Sequence, residues 1–294
     1  MFHEPVMTRE VVAFLQPEKG GIFVDCTVGM GGHALALLEA GATRVIGLDR
    51  DPAALRIAAG TLDKYRDRVE LVHSDYRAIA AILEARGIER VDGTLTDMGM
   101  SSYQLEAEGR GFSFQRDDPL DMRMDTTTGA TAAELLRRSE ESEIADAIYK
   151  FGEERHSRRI ARGIVQARTG APLETTAQLA AIVRRAVPRR GFSRIDPATR
   201  TFQALRIWVN GELDDLDTFV RTAAGHLAPA ARLGVISFHS LEDRIVKHTM
   251  RGIAGEDDGF RILTKKPIAP DEAEVRRNPR SRSAKLRAIE RLAA

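Results

Sequence analysis

A chain of 294 residues with 43% hydrophobic, 30% charged and 5% aromatic positions can bury one large core or two modest ones, which excludes disordered and collagen-like classes. Its 44 basic and 43 acidic side chains leave a net charge of +1, an average that argues against wholesale binding of polyanions. One cysteine, Cys26, excludes an intrachain disulfide and a cysteine-built zinc cluster, no apolar run approaches the roughly 18 residues of a membrane span, and the acid-bearing N-terminal MFHEPVMTREVV is unlike a secretory leader, so a cytoplasmic protein without membrane or metal is expected.

In chain order, residues 22–26 (IFVDC) read as a strand, and 32–40 place apolar residues at helical spacing. Residues 45–48 form a second strand and 52–65 a second helix, with Pro52 allowed in its first turn. A third strand at 69–72, a helix at 79–85 and a fourth strand at 91–96 complete the series. Strands alternating with helices predict βαβ units and a doubly wound parallel sheet. From about residue 130 to 205 strand signals stop, and Thr131-Ala-Ala-Glu134 and Thr175-Thr-Ala-Gln178 each have the capping-box form that opens a helix. The α/β pattern resumes with an amphipathic stretch at 212–228, a strand at 232–238, a helix at 240–250 and strands at 260–263 and 286–289. Residues 252–259 and 267–279 are polar and punctuated by Gly and Pro, which predicts mobile loops. The expected division is an α/β core of 1–114 and 207–294 around a helical insertion of 115–206.

The first strand runs through Asp25 into Cys26-Thr-Val-Gly-Met-Gly-Gly-His33, a glycine-rich turn that lets a ligand approach the backbone and meet helix N-terminal amides. Gly29-x-Gly31-x-x-Ala34 also satisfies the dinucleotide fingerprint, with Asp49 about 20 residues on, and a tight turn without ligand stays open. Asp49 closes the second strand, placed to accept hydrogen bonds from ribose hydroxyls. Asp75-Tyr76 follows the third, where a carboxylate meets an adenine amino group and a ring covers its face. Asp97 ends the fourth. Acids at four successive strand ends line the crevice where doubly wound sheets bind ligands. They repel the pyrophosphate of a dinucleotide and attract the sulfonium and ammonium of S-adenosylmethionine, by about 4 kcal/mol per pair at 4 Å and an effective dielectric of 20. S-adenosylmethionine is the expected cofactor, and a nicotinamide-dependent dehydrogenase is the alternative.

Asp97-Met-Gly-Met-Ser-Ser-Tyr-Gln104 leaves the fourth strand beside the expected methyl group. Methyl transfer is an in-line displacement, so the protein positions the nucleophile and manages its proton. Methylation at carbon 5 of a pyrimidine needs a thiol, and the sole cysteine lies in the cofactor loop. An exocyclic amine instead needs an N–H acceptor, for which Asp97 and its neighbouring backbone are suited. Ser101, Ser102 and Gln104 are expected to orient the base edge, with a turn or helix cap as the equal alternative for the serines. Arg110-Gly-Phe-Ser-Phe114 offers an arginine and two phenylalanines to stack on a base, or two inward strand residues. Ser240-x-x-Asp243 reads as a capping box, and His239 before it is expected to face the crevice.

Together these strings resemble the bacterial ribosomal RNA small subunit methyltransferase H family. The resemblance runs nearly end to end: His3 to Val6, Asp25 to His33, Gly47 to Asp51, Asp97 to Gln104, Arg110 to Phe114, Pro119 to Met124, Phe151 to Arg155, Pro197 to Gln203, Ile236 to Lys247 and Asn278 to Arg287. It implies a class I S-adenosylmethionine-dependent methyltransferase core, Rossmann-like, with an inserted all-helical domain. It implies methylation of N4 of a cytosine in 16S rRNA, near the decoding site of an assembled small subunit. Gly31, Gly32, His33, Asp49, Tyr76, Asp97 and Gln104 are the implied cofactor contacts, and Asp97, Ser101, Ser102 and His239 the catalytic candidates. The family usually has Leu and Val where Met98 and Met100 stand, and His where Asp196 stands, so no role is carried to position 196. A non-catalytic ribosome-assembly factor is a further alternative, and the oligomeric state stays open, a homodimer included.

Divided by segment, residues 184–206 hold seven arginines against Asp196, a net of +6. Residues 261–294 hold ten bases against four acids, also +6, and the first 60 residues five bases against seven acids, a net of −2. The overall +1 thus reads as a cancellation between a cation-binding pocket and RNA-facing segments.

Overall fold

The computed structural model describes residues 5–188 and 196–293. Their chain divides into two compact units, Met1–Gly99 with Asp215–Ala294, and Met100–Asp214. The first carries a seven-stranded sheet of β1 (Ile22–Asp25), β2 (Arg44–Asp49), β3 (Val69–His73), β4 (Val91–Asp97), β5 (Leu227–Ser237), β6 (Phe260–Ile262) and β7 (Lys285–Arg291) in the order β3-β2-β1-β4-β5-β7-β6. β1 to β5 pair in parallel, and β7 runs antiparallel between β5 and β6. Helices α1 (Thr8–Leu15), α2 (Gly32–Glu39), α3 (Pro52–Thr61) and α4 (Ile79–Glu84) belong to the first half of this unit. This is the expected doubly wound, Rossmann-like arrangement. The chain winds outward from β1 to β3 and then crosses to β4, so the strand order reverses between β1 and β4, where such sheets open a ligand crevice at their carboxyl ends.

Apolar runs make the central strands because they are covered on both sides. Phe23 and Val24 of β1, Val45, Ile46 and Leu48 of β2 and Leu95 of β4 are all buried. α2 lays Ala34, Leu37 and Leu38 into the same core, and α1 adds Val11 and Leu15.

The second unit is helical, with α5 (Ser102–Glu106), α6 (Ala132–Arg138), α7 (Glu141–Gly152), α8 (Ser157–Gly170), α9 (Thr176–Ala186) and α10 (Ala198–Asn210). Both expected capping boxes form, with Thr131 accepting from Glu134 N and Thr175 from Gln178 N. The division falls outside the expected 114/115 and 206/207 because Met100, Leu105, Phe112, Phe114, Trp208 and Val209 pack into the helical core with Ile144, Ile160 and Phe202. No strand forms at 112–114; Phe112 is buried and Phe114 meets Phe202 edge-on at 4.9 Å. Arg110 donates to the carbonyls of Arg123 and Met124, so the expected stacking platform is spent inside this unit.

The chain returns to the first unit through α11 (Leu216–Gly225), α12 (Ser240–Glu256) and α13 (Glu272–Arg277). Three expectations change here. β5 begins five residues early, at Leu227, directly after α11. α12 continues into the expected loop at 252–259 as far as Glu256, leaving 257–259 as the loop, because Ile253 is buried and Arg221 on α11 pairs with Glu256 at 2.7 Å. The expected loop at 267–279 contains α13, pinned by Met7 N donating to the buried Glu274 carboxylate at 2.7 Å. Among the described residues, no helix is long and apolar enough to cross a membrane.

Candidate active site

The glycine-rich loop is held over the carboxyl edge by its neighbours. Cys26 N donates to Leu95 O of β4, and Val28 N to Leu48 O of β2. Gly29 and Gly31 have φ of +51° and +89°, a region that glycine enters without penalty. Gly31 caps α2, and a Cβ there would lie 3.1 Å from Leu62 Cγ. Beneath the loop, a Cβ on Gly47 would lie 2.8 Å from Val28 Cγ2 and 3.0 Å from Leu71 Cδ2. Gly47→Ala should therefore destabilise the protein by about 1–3 kcal/mol, as overpacking does. Denaturant titration should show a lower midpoint, and an unchanged midpoint would mean that Val28 and the loop yield freely.

Three acids close on this floor. Asp49 accepts Gly29 N and Asp51 N, both at 2.8 Å, one on each carboxylate oxygen. Burial pushes its pKa up to about 6 against those two bonds. Asp25 is fully buried and accepts Thr27 N at 3.2 Å, while its Oδ2 has no partner. Burial raises it to about 6 as well, against the opposing charge of His33. Asp97 Oδ2 lies 3.5 Å from His33 Nε2, and Asp97 Oδ1 is unpartnered. His33 sits in the first turn of α2 and is 5% exposed. Burial disfavours its imidazolium, but Asp97 and the charge of Asp25 outweigh that and hold its pKa above the ordinary value.

The structure thus brings Asp25, His33 and Asp97 together, with Asp49 on the adjoining strand. Buried polar atoms normally find partners, and Asp25 Oδ2, Asp97 Oδ1 and His33 Nδ1 have none in the protein, which makes this cluster the candidate position for a polar ligand. Its chemistry suits a cation. The one base of the Asp49-Arg50-Asp51 turn, Arg50, is directed to Asp75 at 2.8 Å.

Two residues differ from their expected roles. Asp75 is gripped by Arg50 and, through two 2.8 Å bonds, by Arg77, which holds its pKa down despite burial. It is a structural clasp rather than an acceptor for an adenine amine. His239 is itself the cap of α12, with Glu242 N donating to its Nδ1 at 3.4 Å and its Nε2 2.9 Å from Glu242 Oε1. The capping box is one residue earlier than the expected Ser240–Asp243 pair because the fully buried Glu242 also accepts Phe238 N. Tyr76 begins a short 3-10 turn, its ring 4.5 Å from that of Phe219.

In the helical unit, Ser101 and Gln104 form a capping box, with Gln104 N donating to Ser101 Oγ and Ser101 N to Gln104 Oε1. Ser102 opens α5 and is buried. The alternative of a helix cap is thus the one Ser101 adopts. The sequence reading missed Thr27, whose hydroxyl accepts Asp97 N at 2.7 Å and ties the loop to the end of β4. Cys26 is buried, and burial pushes its thiol far above the usual range, so it supplies no nucleophile.

Residues 1–292 match the MraW methylase family. The chain is 51% identical over 290 residues to the ribosomal RNA small subunit methyltransferase H of Sorangium cellulosum, covering 99% of this chain and 91% of that one. Its counterpart of the same name in Synechococcus elongatus is 51% identical over 292 residues, covering 99% and 95%. Among solved structures, an rRNA methylase from Streptococcus thermophilus is 10% identical with a TM-score of 0.44, covering 99% of each chain.

Proposed function

Because the chain belongs to the MraW methylase family, we propose that it uses S-adenosylmethionine in the cytoplasm to methylate the exocyclic N4 of a specific cytosine in 16S rRNA, near the decoding site of the small ribosomal subunit. The relatives named for small subunit rRNA support the substrate. The observation that carries the cofactor reading is the pair of buried carboxylate atoms, Asp25 Oδ2 and Asp97 Oδ1, that no protein group satisfies. The cofactor supplies an electrophilic methyl group attached to a sulfonium cation. Within the α/β unit, Gly31 and Gly32 let the loop turn into α2 against Leu62 and Pro5 and bring its backbone to the cofactor, Asp49 accepts from its hydroxyls, Tyr76 covers its base, and Asp25 and Asp97 face its charge.

Methyl transfer to an exocyclic amine requires lone-pair density on a nitrogen that conjugation has depleted, followed by loss of one proton. Asp97 Oδ1, free of protein partners, accepts an N–H of the amine and raises that density. His33 beside it balances the carboxylate charge and holds Oδ2 in place. The target base has to leave its stack to reach this atom. Ser101 and His239 contribute by capping the helices that follow β4 and β5.

Small-subunit RNA from cells lacking this protein should lose one N4-methylcytidine when its nucleosides are weighed by mass spectrometry. Retention of the mark would overturn the assignment of base and atom. Titration calorimetry should show saturable binding of S-adenosylmethionine; saturable binding of NAD with no response to S-adenosylmethionine would restore the dehydrogenase alternative.

A further inference from the structure

Several cations of the arginine-rich stretches that stand out in the sequence are paired in the fold. Arg184 pairs with Asp196 at 2.8 Å, and Arg206 with Glu212 at 2.8 Å. In the C-terminal segment Arg261 pairs with Glu290, and Arg287 and Lys285 with Asp243. Arg189, Arg190 and Arg194 lie outside the described residues, as do His3 and Glu4.

A different stretch concentrates arginine on one helix. Residues 155–173 hold five arginines and no acid. Arg158, Arg159 and Arg162 are exposed on α8, and Arg155 just before it. At 100° per residue the three helical arginines fall within a stripe about 100° wide, opposite the face that buries Ser157, Ile160, Ala161 and Ile164. Glu141 pairs with Arg162 at 3.7 Å, and Arg155 Nε donates to His156 Nε2.

This placement runs against local stability. The first turn of α8 holds no acid and two arginines, so cations face the positive end of the helix dipole, where like charge is unfavourable. Of the other long helices, α7 and α12 carry acids in the first turn, whereas α10 shares the pattern of α8, with Arg200 and no acid there. The buried Glu154 carboxylate accepts His156 N at this end, yet the exposed arginines themselves run against the local rule, as functional surfaces do. In the last turn of α7, which packs against α8, Tyr149 is 64% exposed, and Lys150 next to it is also exposed. Exposed cations and an exposed aromatic ring on two packed helices match a nucleic-acid strand, phosphates on the guanidinium groups and a base on the ring.

We infer that the start of α8 and the end of α7 form an RNA-docking face, in which Arg155, Arg158, Arg159 and Arg162 take backbone phosphates and Tyr149 stacks an unpaired base. The inference rests on the proposed RNA substrate and adds where that RNA is gripped.

The test compares the full-length wild type with an Arg158→Ala/Arg159→Ala/Arg162→Ala variant and with Tyr149→Ser. Binding to a labelled single-stranded fragment of 16S rRNA and to purified small subunits is followed across 50 to 200 mM salt. The triple variant should weaken binding and lower the slope of log affinity against log salt by about 2. Tyr149→Ser should weaken binding by roughly tenfold with the slope unchanged. Affinity for S-adenosylmethionine should stay at the wild-type value, and the melting temperature of the triple variant should be equal or higher, since charges opposing the dipole are gone. Wild-type binding with an unchanged slope in the triple variant would overturn the docking face alone. Binding lost to small subunits but kept to naked RNA would overturn it in favour of an acidic protein contact. A wild type that binds neither probe would overturn the RNA-substrate reading itself.

Discussion

Asp97→Asn should fold as the wild type does and, at saturating S-adenosylmethionine, lose roughly a hundredfold or more in turnover on small-subunit RNA, the scale of a positioned proton acceptor. The backbone around it is set independently of its charge. Asp97 N donates to Thr27 Oγ1 and Met98 N to Ile236 O, so both neighbouring strands keep the end of β4 in place. An amide of the same shape still accepts one hydrogen bond, but it brings no negative charge to a nitrogen that has to lose a proton. The substitution also removes the anion beside His33, whose pKa then falls because burial is left opposing the imidazolium with only the weaker pull of more distant carboxylates. A nuclear magnetic resonance titration of the His33 ring supplies this second readout. Undiminished turnover with the His33 shift present would move the proton-accepting role away from Asp97.

The parts of this site that were legible in the sequence are those set by chain-local rules. A strand that ends in an acid and runs into glycines places the acid at the carboxyl edge whatever else the chain does, and Asp25, Asp49 and Asp97 all stand there. Thr131 and Thr175 opened their helices as their spacing requires. What stayed hidden depends on partners distant in sequence. Asp75 follows β3 as the other acids follow their strands, but Arg50 from the β2 turn claims it. Gly252 and Gly255 argue against a helix by propensity, yet burial of Ile253 and the Arg221–Glu256 pair carry α12 past them, as tertiary packing overrides a weak local preference. α13 carries a local start signal, Asp271 accepting Glu274 N, that the surrounding prolines obscured, and Glu274 in turn accepts a backbone donor 267 residues away. The arginines of α8 escaped notice because Glu140, Glu141, Glu143, Glu153 and Glu154 precede them and flatten any charge count taken along the chain. A helix sorts those charges by face and by end, and a linear count does not.

Affinity for S-adenosylmethionine should be about constant near pH 7 and fall by roughly tenfold per pH unit below 6 for each carboxylate that has to be ionised. Asp25 and Asp49, both raised to about 6 by burial, set that threshold. Stability of the ligand-free protein should move the opposite way. A carboxyl whose folded pKa lies above its unfolded value near 3.8 favours the folded state most at low pH and loses that contribution as pH rises through about 6, by roughly 3 kcal/mol per group at most. His33, with its pKa also raised, adds in the same direction, since its contribution is complete below its unfolded value and disappears as pH climbs through the folded one. A cation bound in the crevice favours the ionised acids and the neutral imidazole, and so offsets the loss. The melting temperature without cofactor should therefore drop between pH 5 and pH 7, and the rise on adding saturating S-adenosylmethionine should be larger at pH 7. Asp25→Asn should melt higher than the wild type at pH 7, bind the cofactor more weakly there, and show a flatter pH dependence of affinity. Calorimetric affinities equal at pH 5 and pH 7 would mean that these buried acids are neutral when the cofactor binds, and that the sulfonium is recognised by shape and backbone alone.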